Sequence, residues 1–325
     1  MIKYSIVIPT FGRPSFLKNC LESIKKQSSR PHAVNVIDNN SDFEMRGVVK
    51  KIVNDFNSDE TNYNYVVGRV NSGAVARNHG ASLTKTKLVA FLDDDVVLDI
   101  DYYEKILDVF DSDNNIVGVQ GLDHALVENY KMTSKSYIRR LGLFIENIFE
   151  HSFIIKKNNS DLRPSLAVTH PIPTSDFFIE SQWISTCAGV FKTELFNVLE
   201  FPENFVKYSW NEYVFFSHSI YKKNLGRLIY TSSATYRNIN TDEGRVPLKE
   251  LFFMAEVYDF YVFSSLFEMN FHNKFIYIKS RIGRLLFYFA RMIYRKNFDF
   301  RILKNIIGAF KLSYQNKDQI RKGNF

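Results

Sequence analysis

Three consecutive carboxylates, Asp93, Asp94 and Asp95, stand between two apolar runs in the stretch FLDDDVVL. Neighbouring anions repel one another, and an unpaired carboxylate is costly to bury. A triplet in that setting calls for a cation or for strong donors. Hard oxygen donors suit Mg2+ or Mn2+, which take one or two carboxylates and complete their shell with water and phosphate oxygens. A diphosphate ligand with a metal therefore fits the triplet better than an all-protein cage. Three further polar clusters, TFGR (10–13), DNNSD (38–42) and NSGAVARN (71–78), also follow apolar segments. The chain has no P-loop pattern, no GxGxxG after its first apolar run, and no CxxC or HExxH, so those nucleotide and zinc sites are excluded.

The clusters need elements to position them. YSIVIP (4–9), AVNVID (33–38), YNYVVG (63–68), KLVAFL (87–92) and NIVGVQG (115–121) read as buried strands. Between them, Phe16, Leu17, Cys20, Leu21 and Ile24 share one helical face. So do Val48, Val49, Ile52, Val53 and Phe56, and likewise Ile100, Tyr103, Ile106, Leu107 and Phe110, while AVARNHGASL (74–83) reads as a short helix. Asp99 and Asp101 read as capping residues for the helix after the triplet. Alternating strands and helices predict an α/β fold with a mostly parallel sheet. Such sheets bind ligands beyond the carboxyl ends of their strands, where all four clusters fall.

At that level of detail the chain resembles family 2 glycosyltransferases. The resemblance rests on SIVIPTFGRPSFLKNCLESI, VIDNNSD, NSGAVARNHG and FLDDDV in that order, close over residues 3–120 and looser to about 237. It implies a GT-A fold, with a Rossmann-like mostly parallel sheet flanked by helices and a helical C-terminal extension. It further implies a catalytic domain over 1–240, with a nucleotide-sugar half (1–120) and an acceptor half (121–240). Carried over, it implies that Pro9, Thr10 and Arg13 line the nucleotide pocket and that Asp38 holds the base, with Asn40 and Ser41 in its loop. Gly73 would admit donor close to backbone, and Arg77 and Asn78 would face nucleotide or sugar. Asp93 and Asp95 would be the outer members of a D-x-D motif, Asp93 on hydroxyls and Asp95 on the metal, Mn2+ or Mg2+. Asp94 is the spacer between them, its side chain unassigned. Arg13 and Arg77 also read as solvated helix-start residues, Asn40 as a turn residue and Gly73 as helix punctuation.

An inverting member needs a carboxylate base for the acceptor hydroxyl. In the family it lies in an acidic pair opening a helix, after a glycine-containing acceptor strand. QWISTCAGVFKTELF supplies Gly189, and FPENFVKYSWNEYVFF supplies Glu212, with Tyr213 where the second acid is usual. Glu203 is the rival base, and a helix-start acid is the plain reading of Glu212. Many relatives carry a metal- or diphosphate-binding histidine after GRLIYTSSATYRN. Here Arg237 precedes Asn238, and arginine pairs with a diphosphate rather than a metal. Trp183 reads equally as an acceptor platform and as core, and 240–248 equally as a lid and as a connector.

The 325 residues are enough for one large core or a domain with an appendage. Cys20 and Cys187 read as buried free thiols, which favours a reducing, cytoplasmic site. Residues 271–325 hold 13 Lys/Arg against two acids, a formal +11; the whole chain is +7, so the first 270 residues carry −4. Basic charge confined to the tail, without a recognised module, argues against nucleic acid as a partner. In 276–296 the residues Ile278, Ile282, Leu285, Phe289 and Ile293 form one stripe, with Arg281, Arg284, Arg291 and Arg295 beside it. This basic, aromatic region, 241–325, reads either as a helix on an anionic membrane surface or as a helical subdomain with a solvated basic face. The expected function is metal-dependent transfer from a nucleoside diphosphate sugar, a UDP-sugar first, to a glycan or lipid-linked acceptor. Bacterial surface polysaccharide synthesis, peripheral on the inner face of the cytoplasmic membrane, is the expected setting. The rivals are a degenerate family member that binds without turnover and a sugar-1-phosphate nucleotidyltransferase.

Overall fold

The computed structural model describes residues 2–58, 60–135, 144, 148–150, 153–156, 160–171, 176–239, 241, 243–244, 246–296 and 299–325. In chain order the elements begin with β1 (Tyr4–Thr10), α1 (Pro14–Lys25), β2 (Ala33–Asp38), α2 (Phe43–Asp55), β3 (Asn62–Val67) and α3 (Gly73–Leu83). They continue with β4 (Leu88–Phe91), β5 (Val96–Leu98), α4 (Tyr102–Ser112), β6 (Ile116–Asp123), α5 (His124–Lys135), β7 (Phe153–Lys156) and β8 (Val168–Pro171). Then come β9 (Phe178–Ser181), β10 (Val190–Lys192), a 3-10 turn at Thr193–Asn197, α6 (Glu212–Lys222) and β11 (Arg227–Asn238). Four helices close the chain: α7 (Leu248–Leu266), α8 (Phe271–Arg295), α9 (Arg301–Gln315) and α10 (Lys317–Arg321). The chain forms two compact units, each discontinuous in sequence.

The first unit comprises Met1–Val127, Pro173–Tyr208 and Glu212–Arg245. Its nine-stranded sheet runs β3-β2-β1-β4-β10-β6-β11-β5, with β9 also on β11. β3, β2, β1 and β4 are mutually parallel, and Thr10 lies beside Asp38 as Asp38 lies beside Val67. Three strands therefore deliver their loops to one edge. β4 is in register with β1 at Val7 and Phe91, which brings Asp94, three residues on, level with Thr10. β10 enters between β4 and β6 antiparallel to both, and β5 and β9 are antiparallel to β11. The α/β expectation holds, with a sheet more mixed than the strand-helix alternation suggested. Val96–Leu98, which the sequence showed only as an apolar run, pairs with Tyr236–Asn238 and becomes β5.

Local chemistry explains the helices. Pro14 opens α1 where a missing N–H costs nothing, and Leu17, Cys20, Leu21 and Ile24 are buried against Ile6, Ile8 and Val36. Each such aliphatic side chain contributes about 1.5–3 kcal/mol by leaving water. Asp42 caps α2 by accepting from Met45 N at 2.8 Å, and Ser72 caps α3 by accepting from Val75 N at 3.1 Å. Asp101 makes no side-chain cap; it pairs with Lys105 at 2.7 Å, while Asp99 accepts from Thr235 and bonds His124 at 2.9 Å. Behind β4 and β10, Phe91, Phe191, Phe201 and Phe216 pack edge-to-face and face-to-face into an aromatic layer.

The second unit comprises Glu128–Ile172, Ser209–Asn211 and Val246–Phe325. A division at 240/241 was expected from sequence; here 128–172 and 209–211 group with the C-terminal helices. Hydrogen bonds show why: Arg281 and Ser280 both donate to the Ser165 carbonyl, at 3.0 and 3.2 Å. Trp210 Nε1 and Asn211 Nδ2 donate to Asp259 at 2.9 and 2.7 Å. α7 buries residues on nearly every side, among them Phe252, Tyr258, Val262 and Phe263. Arg281 and Arg284 turn inward onto Glu256 and Asp259, with Arg284 at 2.6 Å and 2.8 Å from them. Half of the expected arginine stripe is therefore internal and neutralised. Arg291 is exposed, and the side chain of Arg295 lies outside the described residues. Among the described residues no helix is long and apolar enough to cross a membrane.

Candidate active site

The first unit's sheet edge gathers the carboxylate triplet and two arginines. Asp94 turns inward and is buried; Thr10 Oγ1 donates to it at 2.7 Å and Arg13 Nη1 lies at 3.1 Å. The same Arg13 nitrogen lies 3.0 Å from Asp95. Burial raises Asp94 to about 7 against the pull of Arg13 and Thr10. The unassigned middle aspartate thus fastens the triplet to the β1 loop. Arg13 Nε in turn donates to the Glu243 carbonyl at 2.6 Å, and a Cβ on Gly244 would collide with the Phe11 carbonyl. Residues 243–244 of the 240–248 segment accordingly sit on the Phe11–Arg13 loop; Asn240, Asp242 and Arg245 lie outside the described residues.

Arg77 links the triplet to Glu212, the expected base. Its Nη2 lies 2.7 Å from Asp93 and its Nη1 2.9 Å from Glu212. Burial works against the Arg77 charge, but Glu212 and Asp93 outweigh it and its pKa rises. Glu212 is itself buried at the first position of α6, and desolvation raises it to about 7 although Arg77 pulls it down. Lys207 (φ 55°) shortly precedes Glu212, and its carbonyl accepts from Gly73 N at 3.1 Å. Ser72 Oγ donates to the Phe205 carbonyl. The start of α3 and the chain leading to Glu212 are therefore tied together.

The β2 loop forms a second part of the edge. Asp38 is buried, with Oδ1 accepting from Asn40 N at 3.0 Å and Asn40 Nδ2 at 2.6 Å, and Oδ2 accepting from Tyr65 Oη at 2.9 Å. Asn40 Oδ1 accepts from Gly12 N at 2.9 Å, joining this loop to the β1 loop. Pro9 is half-buried on β1 beside Ile37, and Ser41 is exposed. Asn78 bonds Phe201 N and O at 2.9 and 3.0 Å, and donates to Glu203 at 3.3 Å. That places Asn78 against the loop of the rival base rather than on the triplet. Arg237 is exposed on β11 beside Val97, and Ile239 N donates to the Asp95 carbonyl at 2.9 Å. Trp183 is buried, its ring 6.1 Å from that of Tyr213. Gly189 donates no side chain: its carbonyl accepts from Phe91 N at 2.8 Å, and a Cβ there would collide with the Ser185 carbonyl.

Tyr65 and Ser72 were not singled out from the sequence. Alternation along β3 put Tyr63 and Tyr65 on one face, and Ser72 had the N-cap pattern ahead of α3, so both signals were present. Among the described residues no group of three or more His, Cys, Asp or Glu is arranged to hold a metal alone. The donor chemistry nonetheless suits a divalent ion. Asp93, Asp94, Asp95 and Glu212 set hard carboxylate oxygens around only two guanidiniums, so the cluster is net negative once Asp94 and Glu212 are ionised.

The fold agrees with comparison to known proteins. The profile of glycosyl transferase family 2 matches residues 5–179, more than half of the chain, and the protein belongs to that family. A curated relative, the GalNAc(5)-diNAcBac-PP-undecaprenol beta-1,3-glucosyltransferase of Campylobacter jejuni, is 31% identical over 97 residues. That match spans 29% of this chain and 30% of the relative. Two solved structures share the GT-A fold at a TM-score of 0.54 each. The mannosyltransferase PcManGT of Pyrobaculum calidifontis, with GDP-Man and Mn2+, is 12% identical over 96% of this chain and 86% of its own. GalNAc-T7, with UDP, GalNAc and Mn2+, is 15% identical over 86% of this chain and 54% of its own.

Proposed function

We propose that this protein transfers a sugar, with inversion, from a nucleoside diphosphate sugar to a hydroxyl of a glycan or lipid-linked glycan. The observation that carries this reading is the Arg77 guanidinium shared between Asp93 and Glu212. It sets a candidate base one side chain away from a candidate donor carboxylate. Glu212 accepts the acceptor's proton as the oxygen attacks the anomeric carbon, through an oxocarbenium-like transition state. A pKa of about 7 suits a group that must gain and lose that proton near neutrality. Arg77 orients the Glu212 carboxylate, and Asp93 holds donor hydroxyls.

Thr10 and Arg13 hold the triplet in place, while Asp38 and Asn40 form the nucleobase loop, with Tyr65 on β3 bonded to Asp38. Asp95 would hold the metal, Mn2+ or Mg2+. When bound, the cation supplies Lewis-acid stabilisation to the departing diphosphate. Arg237 adds a phosphate-binding charge, and the Trp183–Gly189 segment borders the acceptor. The UDP of one similar solved structure, the GDP-Man of the other and the Mn2+ of both support a nucleoside-diphosphate donor and a divalent metal. The undecaprenol-linked acceptor in the curated relative's name supports a lipid-linked acceptor. The reading extends to bacterial surface polysaccharide assembly, with peripheral contact at the inner face of the cytoplasmic membrane through the C-terminal helices.

Nucleotide release from a panel of nucleotide sugars, with Mn2+ and with EDTA, tests it. One donor, a UDP-sugar first, should turn over with Mn2+ and stop in EDTA. Binding without release from any donor would make the protein a degenerate member.

A further inference from the structure

α8 is inverted relative to an ordinary surface helix. Its Arg281, buried, and its Arg284, half-buried, are held in ion pairs with Glu256 and Asp259. Its outward face instead carries Phe271, Phe275, Ile278, Ile282, Leu286, Phe289 and Ile293, each between 43% and 86% exposed. These seven are spaced by four or three residues throughout, so they form one continuous row. At 1.5 Å per residue the row is about 33 Å long. Scattered exposed apolar residues are ordinary, but a contiguous row of this length marks a surface with a partner.

The charges around the row identify the partner's chemistry. α8 contains no Asp or Glu. Lys274 and Lys279 fall on opposite flanks of the row, given the turn of about 100° per residue. Heptad-like spacing would also suit a second copy of the helix, but pairing α8 with itself would set like charges along both rims, with no acid on either helix to relieve them. An anionic bilayer offers an apolar interior and negative headgroups at once.

We infer that the outward row of α8, rather than its arginines, is the membrane-docking face. It lies along the headgroup boundary with the apolar side chains inserted and Lys274 and Lys279 on the phosphates. This rests on the membrane-peripheral part of the proposed function and says which surface makes the contact. Because the row is already solvent-exposed, polar substitutions there leave the packed side of α8 intact.

The test is co-sedimentation of the full chain with vesicles of phosphatidylcholine alone and of phosphatidylcholine with phosphatidylglycerol in equal parts. The intact protein should bind the mixed vesicles and bind the neutral ones at least ~tenfold less. A Phe275→Asp, Ile282→Asp variant should lose binding ~tenfold or more while keeping its thermal midpoint and nucleotide release. A Phe271→Ser, Phe289→Ser variant provides the same comparison without added charge. Equal vesicle binding by the intact protein and both variants would overturn the inference and leave membrane association standing through another surface. No vesicle binding by the intact protein would overturn both. A dimer of the intact protein that the variants dissolve, with no vesicle binding, would assign the row to a second copy.

Discussion

Replacing Arg77 with methionine removes a buried charge while keeping most of its volume, and its consequence depends on pH in a way that can be worked out. Burial raises Glu212 from 4.5 to about 7 with Arg77 in place. Each pH unit corresponds to about 1.4 kcal/mol, so ionising Glu212 inside the fold costs about 3 kcal/mol relative to the unfolded chain. Because the folded pKa lies above the unfolded one, this group's stabilising contribution is fully present below pH 4.5 and is lost as pH rises to about 7. Above that, Glu212 is ionised in both states and the contribution is flat. Without Arg77 the folded pKa climbs further, and the loss continues above 7. The two proteins should therefore diverge above about pH 7 by up to about 1.4 kcal/mol per pH unit.

Below about pH 6, Glu212 is protonated in both folded proteins. The remaining difference then comes from lost hydrogen bonds and from Asp93, whose side chain is 34% exposed and therefore screened; it should be on the order of 1–2 kcal/mol. Urea melts in chelator at about pH 6 and about pH 9 should show a penalty some 2–3 kcal/mol larger at the higher pH. A penalty of the same size at both would refute the idea that Arg77 neutralises Glu212.

Four further outcomes follow from the same structure. Glu212→Gln should lower transfer ~100- to 10,000-fold with donor affinity little changed, and unaltered transfer would remove Glu212 as the base. In the intact enzyme, kcat/KM should rise with pH through about 7, because the base works only when ionised. Asp95→Ala should abolish the response of nucleotide release to added Mn2+; full metal dependence in that variant would move the ligand elsewhere. Gly80→Ala should cost about 1–3 kcal/mol in a denaturation experiment, since its Cβ would run into the Val7 side chain on β1.

The sheet edge was legible in the sequence because period and punctuation carry local information. Strands ending at Thr10, Asp38 and Phe91 lie where apolar runs give way to polar clusters. What the sequence did not carry was pairing between distant residues. Asp94 looked like a spacer until the register of β1 and β4 set it level with Thr10. Arg77 and Glu212 are 135 positions apart, and their segments are tied by bonds from Ser72 and Gly73 to Phe205 and Lys207. Antiparallel β10 between β4 and β6 was equally hidden, since a three-residue strand has no period to show.

The tail illustrates how residue type can mislead about direction. Four arginines at helical spacing beside an apolar stripe suggest a basic face turned outward, because lone buried guanidiniums are prohibitively expensive. That inference assumes no partner, and the partners are Glu256 and Asp259 on another helix, 22 to 28 positions earlier. With two acids inside, two arginines are better accommodated there than in solvent-facing positions. Trp210 and Asn211 complete the same cluster on Asp259. Once the charged side is satisfied internally, the apolar side has nowhere to go but out. Leu285 packs inward with Phe252 and Ile306 while its neighbour Leu286 is exposed, so the boundary between the faces falls between adjacent residues. Helical periodicity can locate both faces of α8, but which of them turns inward was decided by two acids on α7.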